Sequence, residues 1–69
     1  MEFFKERLKQ LRTERRITQK EMGDYLKIST RAYQYYEEGK RYPDFEGLIA
    51  LADYFQVSLD YLVGRSDTP

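Results

Sequence analysis

A strongly marked helix start at residues 17–22 constrains the fold more than any other feature of the chain. Thr18 has the position of an N-cap, and Glu21 stands three residues later, where its side chain would complete a capping box. Ile17 and Met22 have the N′ and N4 spacing of a hydrophobic staple, which sets the angle at which the chain enters the helix. These signals predict a short amphipathic helix that begins directly after Thr18.

A further helix is predicted to follow across a tight turn. The helix after Thr18 should end near Leu26, with residues 27–28 in the turn. Ser29 is then the N-cap of the next helix, which ends near Glu38 with Gly39 as a left-handed terminal residue. The later helix keeps one face that has no role in the core. That face is the candidate functional surface.

Apolar spacing elsewhere predicts three more helices and no strands. Helix one covers about residues 3–15. Helix four follows a cap at Asp44, and a short helix five follows a cap at Ser58 and closes at Gly64. The inward positions are Phe4, Leu8, Leu11, Leu48, Leu51, Ala52 and Phe55. The fold class is therefore all-α, a five-helix bundle.

The length of the chain limits it to one domain. A domain of 69 residues buries only about 60% of the surface that its unfolded chain exposes, so a deep catalytic cleft is not expected. We assign residues 1–64 to this domain. Residues 65–69 end in Ser-Asp-Thr-Pro, a composition that predicts a frayed tail or the start of a linker.

Composition argues against several classes of function. The chain has no Cys and no His, so it lacks thiolate chemistry, the commonest general base and the commonest metal ligand. We expect no enzyme activity, no metal site and no cofactor. No apolar run approaches the roughly 20 residues that span a bilayer, and the N-terminus lacks an apolar signal-peptide segment. We therefore expect a cytoplasmic location and no membrane partner.

The formal net charge of zero hides an uneven distribution along the chain. Residues 5–41 contain eleven Lys or Arg and six Asp or Glu, a net charge of +5. Residues 42–69 contain one basic residue and five acidic ones, a net charge of −4. The first part could offer a basic surface to a polyanion, although such charges also simply keep a small domain in solution.

One set of residues is specific enough to indicate a family. It comprises the T-Q-K-E opening at 18–21, the small Gly23, the core positions Met22, Leu26, Ile28, Tyr33 and Tyr36, the E-x-G ending at 37–39, and then Pro43, Leu48, Ala52, Val57, Ser58, Leu59 and Leu62. This set resembles the helix-turn-helix of the phage repressor and Cro family, also called the xenobiotic response element family. The resemblance covers about residues 4–64 and implies a lambda repressor-like DNA-binding domain, with helices two and three forming the motif. Gly23 is expected where helix three crosses closely.

Lys27 departs from the family pattern, which usually has a glycine with positive φ at the turn. A lysine in that conformation costs about 1 kcal/mol of strain. It also adds a positive charge near the expected DNA side.

The resemblance implies sequence-specific binding of double-stranded DNA, with helix three in the major groove. The outward positions near its start are Thr30, Arg31, Ala32, Gln34 and Tyr35. Arg31 could pair with guanine O6 and N7, Thr30 could bond to either kind of base, and Ala32 or Tyr35 could contact a thymine methyl. A solvated or phosphate-bound Arg31 and a surface-packed Tyr35 are the alternatives.

Phosphate contacts are expected from four residues. Gln19 matches a glutamine that binds a backbone phosphate in the family, and it lies at a helix N-terminus, which favours anions. Ser29 has the same setting at the start of helix three. Lys40 and Arg41 resemble the loop residues that flank the groove, the alternative being an ordinary solvated loop.

Arg12 and Glu37 have a structural rather than a binding assignment. Family members with this pairing join the two residues by a salt bridge, so the resemblance implies a tie between helix one and the end of helix three.

A single reading helix covers few base pairs, so a homodimer is expected, at least on DNA, with its reading helices about 34 Å apart on a pseudo-palindromic operator. The candidate dimer surface includes Tyr42, Phe45, Ile49 and Tyr61, which could equally be core residues. The expected function is that of a transcriptional regulator, a repressor. The alternatives are a DNA-binding antitoxin of a toxin–antitoxin pair and a protein-interaction module on the same helical bundle.

Overall fold

The computed structural model describes residues 3–69, and five helices lie within that range. They are α1 (Phe4–Glu14), α2 (Gln19–Leu26), α3 (Thr30–Glu38), α4 (Phe45–Phe55) and α5 (Leu59–Leu62). The described residues contain no strand, so the predicted all-α fold is confirmed. Among these helices none is both long and apolar enough to cross a bilayer.

The core is a single apolar cluster to which all five helices contribute. Its buried members are Phe4, Leu8, Leu11, Met22, Tyr33, Leu51, Ala52, Phe55 and Leu62. Of the five core positions predicted for the motif, Met22 and Tyr33 are fully buried. The other three, at 26, 28 and 36, are half-buried and pack against the cluster. The inward face of α3 is therefore the one that the apolar spacing predicts.

Side-chain caps fix the starts of four helices where the sequence predicts them. The Thr18 hydroxyl accepts a hydrogen bond from the Glu21 N–H at 3.0 Å, and the Glu21 carboxylate accepts one from the Thr18 N–H at 3.2 Å, which completes the capping box. Ser29, Asp44 and Ser58 cap α3, α4 and α5 in the same way. Local hydrogen bonding thus determines where each of these four helices begins.

Gly23 lies at a close approach between backbones, although the neighbour is not the one expected. A Cβ at this position would lie 3.1 Å from the Ile28 carbonyl oxygen and 3.3 Å from the Ser29 carbonyl carbon. The turn that leads into α3, rather than α3 itself, makes the close contact. The Ile28 N–H also donates to the Gly23 carbonyl at 2.9 Å, which brings the two segments together.

Lys27 adopts the left-handed conformation, with φ 60° and ψ 40°, that glycine usually provides in this turn. Its N–H donates to the Asp24 carbonyl at 3.2 Å and so terminates α2. Arg16 and Gln56 have similar positive φ values of 56° and 55° after α1 and α4. The turn therefore keeps the expected geometry and accepts the strain of a side chain.

The C-terminal residues 65–69 differ from the frayed tail that their composition suggested. The Ser58 N–H donates to the Pro69 carbonyl at 2.9 Å, and the Arg7 guanidinium lies 3.8 Å from the Asp67 carboxylate. These contacts turn the segment back toward α5, a return path that no local sequence signal marks. Its interpretation as the start of a linker stays a prediction.

Relief of strain at Lys27 is testable by substitution. Lys27→Gly should raise the free energy of unfolding by up to about 1 kcal/mol, because glycine adopts positive φ without a Cβ clash. Gln56→Gly is the matched control at an uncharged position with the same conformation. Urea melts should show gains of similar size for both variants, and a loss of stability in both would contradict the assignment of strain.

Candidate nucleic-acid interface

The candidate surface is the side of α3 that faces away from the core. Tyr33 is fully buried and anchors the helix, while Arg31 is exposed to solvent. The other four predicted base-contact positions, Thr30, Ala32, Gln34 and Tyr35, are half-buried. All five therefore retain some accessible surface, and none belongs to the apolar core.

A buried ion pair ties α3 to α1. The Arg12 guanidinium donates to the two carboxylate oxygens of Glu37, with Nε–Oε2 at 2.5 Å and Nη2–Oε1 at 3.0 Å. Its Nη1 also donates to the Ile17 carbonyl at 2.8 Å. The Arg12 side chain is 12% exposed and that of Glu37 is 3% exposed. The salt bridge that the family resemblance implies is therefore present, with bidentate geometry and little access to water.

Two further donors converge on the Glu37 carboxylate. The Tyr33 hydroxyl donates to Oε2 at 2.5 Å, and Gln19 Nε2 donates to Oε1 at 3.1 Å. Sequence reasoning missed both contacts, because it treated Tyr33 only as an apolar core residue and Gln19 only as a phosphate ligand. The i, i+4 spacing of Tyr33 and Glu37 on α3 was the signal available for the first.

These contacts explain the protonation states of Glu37, Arg12 and Tyr33. Burial by itself would raise the pKa of Glu37, but hydrogen bonds from Arg12, Tyr33 and Gln19 outweigh it and hold that pKa below its ordinary value. The hydrogen bond to Glu37 raises the pKa of Arg12, and burial together with the same carboxylate raises the pKa of Tyr33. At neutral pH the site therefore contains one carboxylate, one guanidinium and one neutral phenol.

Gln19 and Gln34 connect this buried site to the outer surface. Gln34 Nε2 donates to Gln19 Oε1 at 3.1 Å, and Arg31 Nη1 donates to Gln34 Oε1 at 3.4 Å. Both polar atoms of the Gln34 amide are thus engaged within the protein. The sequence indicated an outward Gln34 but neither of these partners. Gln19 lies on a different helix, whereas Arg31 is an i, i+3 neighbour on α3, a spacing that was an available signal.

The ring of Tyr35 lies among three cations. The Cζ atoms of Arg31 and Arg41 are each 5.5 Å from the ring centroid, and Lys40 Nζ is 5.8 Å from it. The N–H groups of Lys40 and Arg41 donate to the Tyr35 carbonyl at 3.0 and 3.4 Å, which holds the loop beside α3. The structure therefore brings two predicted phosphate contacts next to two predicted base contacts.

Ser29 and Gln19 occupy the helix starts that phosphate contacts would need. The Ser29 hydroxyl caps α3 by accepting from the Ala32 N–H at 3.0 Å. The first N–H groups of a helix have no intrahelical partner and carry the positive end of its dipole. With the Gln19 amide already bonded to Glu37 and Gln34, its backbone N–H is the group best placed for an anion.

The arginines on or just after α1 have partners within the protein. Arg12 pairs with Glu37, while Arg7 and Arg15 donate to the Tyr61 and Phe55 carbonyls and keep their positive charge. The basic cluster beside α3 is formed by the cations around the Tyr35 ring, Arg31, Lys40 and Arg41. Lys40 also forms an exposed pair with Glu38 at 3.3 Å.

The acidic side chains of residues 3–69 do not form a cluster of the kind that holds a metal ion.

Comparison with known proteins places this arrangement in a family. The sequence profile described as helix-turn-helix matches residues 8–62, which include all of α2 and α3. The chain belongs to the helix-turn-helix family of the phage repressor and Cro type. Family membership agrees with the two capped helices and the left-handed turn between them.

Two curated relatives illustrate the similarity in sequence. The chain is 45% identical over 60 residues to the uncharacterized HTH-type transcriptional regulator YqaE of Bacillus subtilis, covering 87% of this chain and 52% of that protein. It is 41% identical over 61 residues to the cryptic phage CTXphi transcriptional repressor RstR of Vibrio cholerae, covering 88% and 54%. The chain thus spans about half the length of these curated relatives.

The structural likeness extends to a protein–DNA complex. The crystal structure of the P22 c2 repressor protein in complex with a synthetic operator matches with a TM-score of 0.79 and 32% sequence identity. The match covers 86% of this chain and 89% of that chain. The helix-turn-helix and the helices packed against it are therefore shared with a repressor solved on an operator.

Loss of the buried pair should destabilise the fold strongly. Arg12→Ala leaves the Glu37 charge buried without its main partner, which should lower the free energy of unfolding by about 3 to 5 kcal/mol. Glu38→Ala, which removes the exposed pair with Lys40, should cost less than about 1 kcal/mol. Chemical denaturation of both variants measures the difference, and equal small losses would mean that the buried pair is not a main tie.

The pH dependence of stability should report the same carboxylate. The pKa of Glu37 in the folded protein lies below its ordinary value of 4.5. The contribution of the Glu37 carboxylate to the free energy of unfolding is therefore complete above pH 4.5, and it is lost as the pH falls through the pKa of the folded state. Between pH 4.5 and the folded pKa, wild type should lose stability more steeply than Glu37→Gln, which cannot titrate. Equal slopes in wild type and Glu37→Gln, from melts at stepped pH, would contradict the assignment.

Proposed function

We propose that this chain is a sequence-specific, double-stranded DNA-binding transcriptional regulator that reads the major groove with α3. The observation that carries the proposal is the surface of α3, where an exposed Arg31 and the cations Lys40 and Arg41 surround the Tyr35 ring. Its likeness to the P22 c2 repressor, which was solved in complex with a synthetic operator, supports DNA binding.

The base contacts follow from the position of each side chain. Arg31 presents a planar fork of donors, which matches the O6 and N7 acceptors of guanine. Thr30, at the start of α3, is proposed to bond a base edge, while the Ala32 methyl and the Tyr35 ring offer apolar contact to a thymine methyl. These groups share the N-terminal and outward part of α3, which enters the groove in proteins with this motif.

The phosphate contacts surround this reading surface. We assign them to the helix starts at Gln19 and Ser29 and to the loop cations Lys40 and Arg41. Such contacts fix the register of the domain on the duplex and carry no sequence information of their own. The hydrogen bonds that hold the loop to the Tyr35 carbonyl support a fixed spacing between the two kinds of contact.

A homodimer on a pseudo-palindromic operator is part of the proposal. Tyr42, Phe45 and Ile49 are exposed apolar side chains beside and along the first half of α4, and Phe45 is 70% exposed. Tyr61, which the sequence also suggested, is half-buried, with the Arg7 guanidinium 3.8 Å above its ring. The dimer surface is therefore centred on the α4 residues.

Repression is the proposed mode of regulation, supported by the similarity to RstR and P22 c2, which are described as repressors. A repressor of this type prevents transcription by occupying its operator. Because DNA is the proposed ligand, we place the protein in the cytoplasm.

The proposal is tested by selecting duplexes from a random pool with the wild-type protein. We expect enrichment of a site with two related half-sites about one helical turn apart. Arg31→Ala should weaken binding to that site by about 1 to 3 kcal/mol and spare random DNA, whereas Lys40→Ala should weaken both alike and lower the salt slope by about one. Titrations at several salt concentrations measure these quantities.

The outcomes separate the components of the proposal. A pool that shows no enrichment and no salt-dependent binding would exclude the DNA-reading function, because each phosphate contact should contribute a slope of about −0.9 in log[salt]. Enrichment of an unpaired half-site would retain DNA binding and exclude the dimer. Equal weakening on all duplexes by Arg31→Ala would remove that residue from base readout.

A further inference from the structure

We propose that Gln34 is a positioning residue that holds the Arg31 guanidinium in its reading orientation, and that it does not itself read a base. The geometry that carries the proposal is a continuous chain of hydrogen bonds from Arg31 through Gln34 and Gln19 to Glu37. The inference rests on the proposed function, because it assigns a role in base readout.

The residues at the two ends of this hydrogen-bond chain determine which atom donates at each step. Glu37 is a buried carboxylate and only accepts hydrogen bonds, so the Gln19 amide must present Nε2 to it. Gln19 Oε1 therefore faces Gln34 and accepts from its Nε2 at 3.1 Å. Gln34 Oε1 is then directed at Arg31, whose guanidinium only donates. Reversal of either amide would place two acceptors or two donors against each other.

The series of hydrogen bonds gives Gln34 a role that its outward position on α3 does not reveal. Both of its polar atoms have partners within the protein, and the side chain is half-buried, whereas Arg31 is exposed at the outer end. On its other side the Arg31 guanidinium lies 5.5 Å from the Tyr35 ring centroid. Arg31 is thus restrained from two directions, and it is the exposed end of the hydrogen-bond chain.

Restraint of this kind affects specificity more than general attraction to DNA. A freely rotating arginine still attracts phosphate, but it must lose rotamer entropy before it forms a bidentate pair with guanine. A guanidinium that Gln34 already holds loses less rotamer entropy when it binds guanine. Loss of Gln34 should therefore weaken recognition of the preferred site and leave binding to random duplexes unchanged.

A double-mutant cycle tests the proposal on the site selected by the wild-type protein. Gln34→Met keeps the length of the side chain and removes both hydrogen bonds. It should weaken binding to the selected site roughly two- to tenfold, the range expected for one net hydrogen bond, with random-duplex affinity unchanged. In the Arg31→Ala background the same substitution should have an effect of less than about twofold, because the residue that it positions is gone.

The base preference supplies a readout that a purely structural role would not change. Selection with Gln34→Met should relax the preference at the same base pair that Arg31→Ala relaxes. Gln10→Met, at an exposed position on α1 whose amide donates to Glu14, is the matched control and should keep wild-type specificity. Thermal melts of all variants verify that the folded protein is being compared.

Two results would overturn the inference. Multiplicative losses in the double mutant, with relaxation at a second base pair, would make Gln34 a base reader in its own right. An equal loss of affinity for selected and random duplexes would make it a general structural residue. Failure of the wild-type protein to select any duplex would instead exclude the proposed function, so the two failures are distinguishable.

Discussion

The buried carboxylate of Glu37 is the interaction on which the candidate surface depends. A charge with 3% exposure is tolerated only when hydrogen bonds replace its water, and Arg12, Tyr33 and Gln19 supply them. Arg12 lies on α1, Gln19 on α2 and Tyr33 on α3, so the Glu37 carboxylate joins these three helices. No buried side-chain nitrogen or oxygen among residues 3–69 lacks a hydrogen-bond partner. The polar cluster is therefore fully hydrogen-bonded, and it connects α3 to α1 and α2.

The apolar core and this polar cluster share Tyr33. Its ring is fully buried among apolar side chains, while its hydroxyl donates to Glu37. A leucine would fill part of the same space but would leave the carboxylate without one donor, at a cost of about 1 to 3 kcal/mol. In a domain of this size, one residue thus contributes both to the packing of α3 and to the hydrogen bonding of the carboxylate near its end.

Much of the fold follows from local chemistry in the sequence. Thr18, Ser29, Asp44 and Ser58 cap four helices at the expected positions. Lys27 has the left-handed backbone that the resemblance to the family required of it. The expected neighbour of Gly23 was wrong because the close contact is with the adjacent turn rather than with α3. The path of residues 65–69 was not predictable, because it depends on where distant backbone segments return. For the candidate site, the sequence indicated which residues lie outward on α3 but not what each of them contacts.

The sequence by itself determined the five helices, the caps of four of them and the separation of α3 into an inward and an outward face, because capping and apolar periodicity act over a few residues. The family resemblance added the pairing of Arg12 with Glu37. Only the tertiary structure decided that Gln19, on α2, bonds to both Gln34 and Glu37 on α3. The physical reason is that α2 and α3 lie side by side only after the core has formed. The contacts of Arg31 with Gln34 and Tyr35, in contrast, join i, i+3 and i, i+4 neighbours within α3.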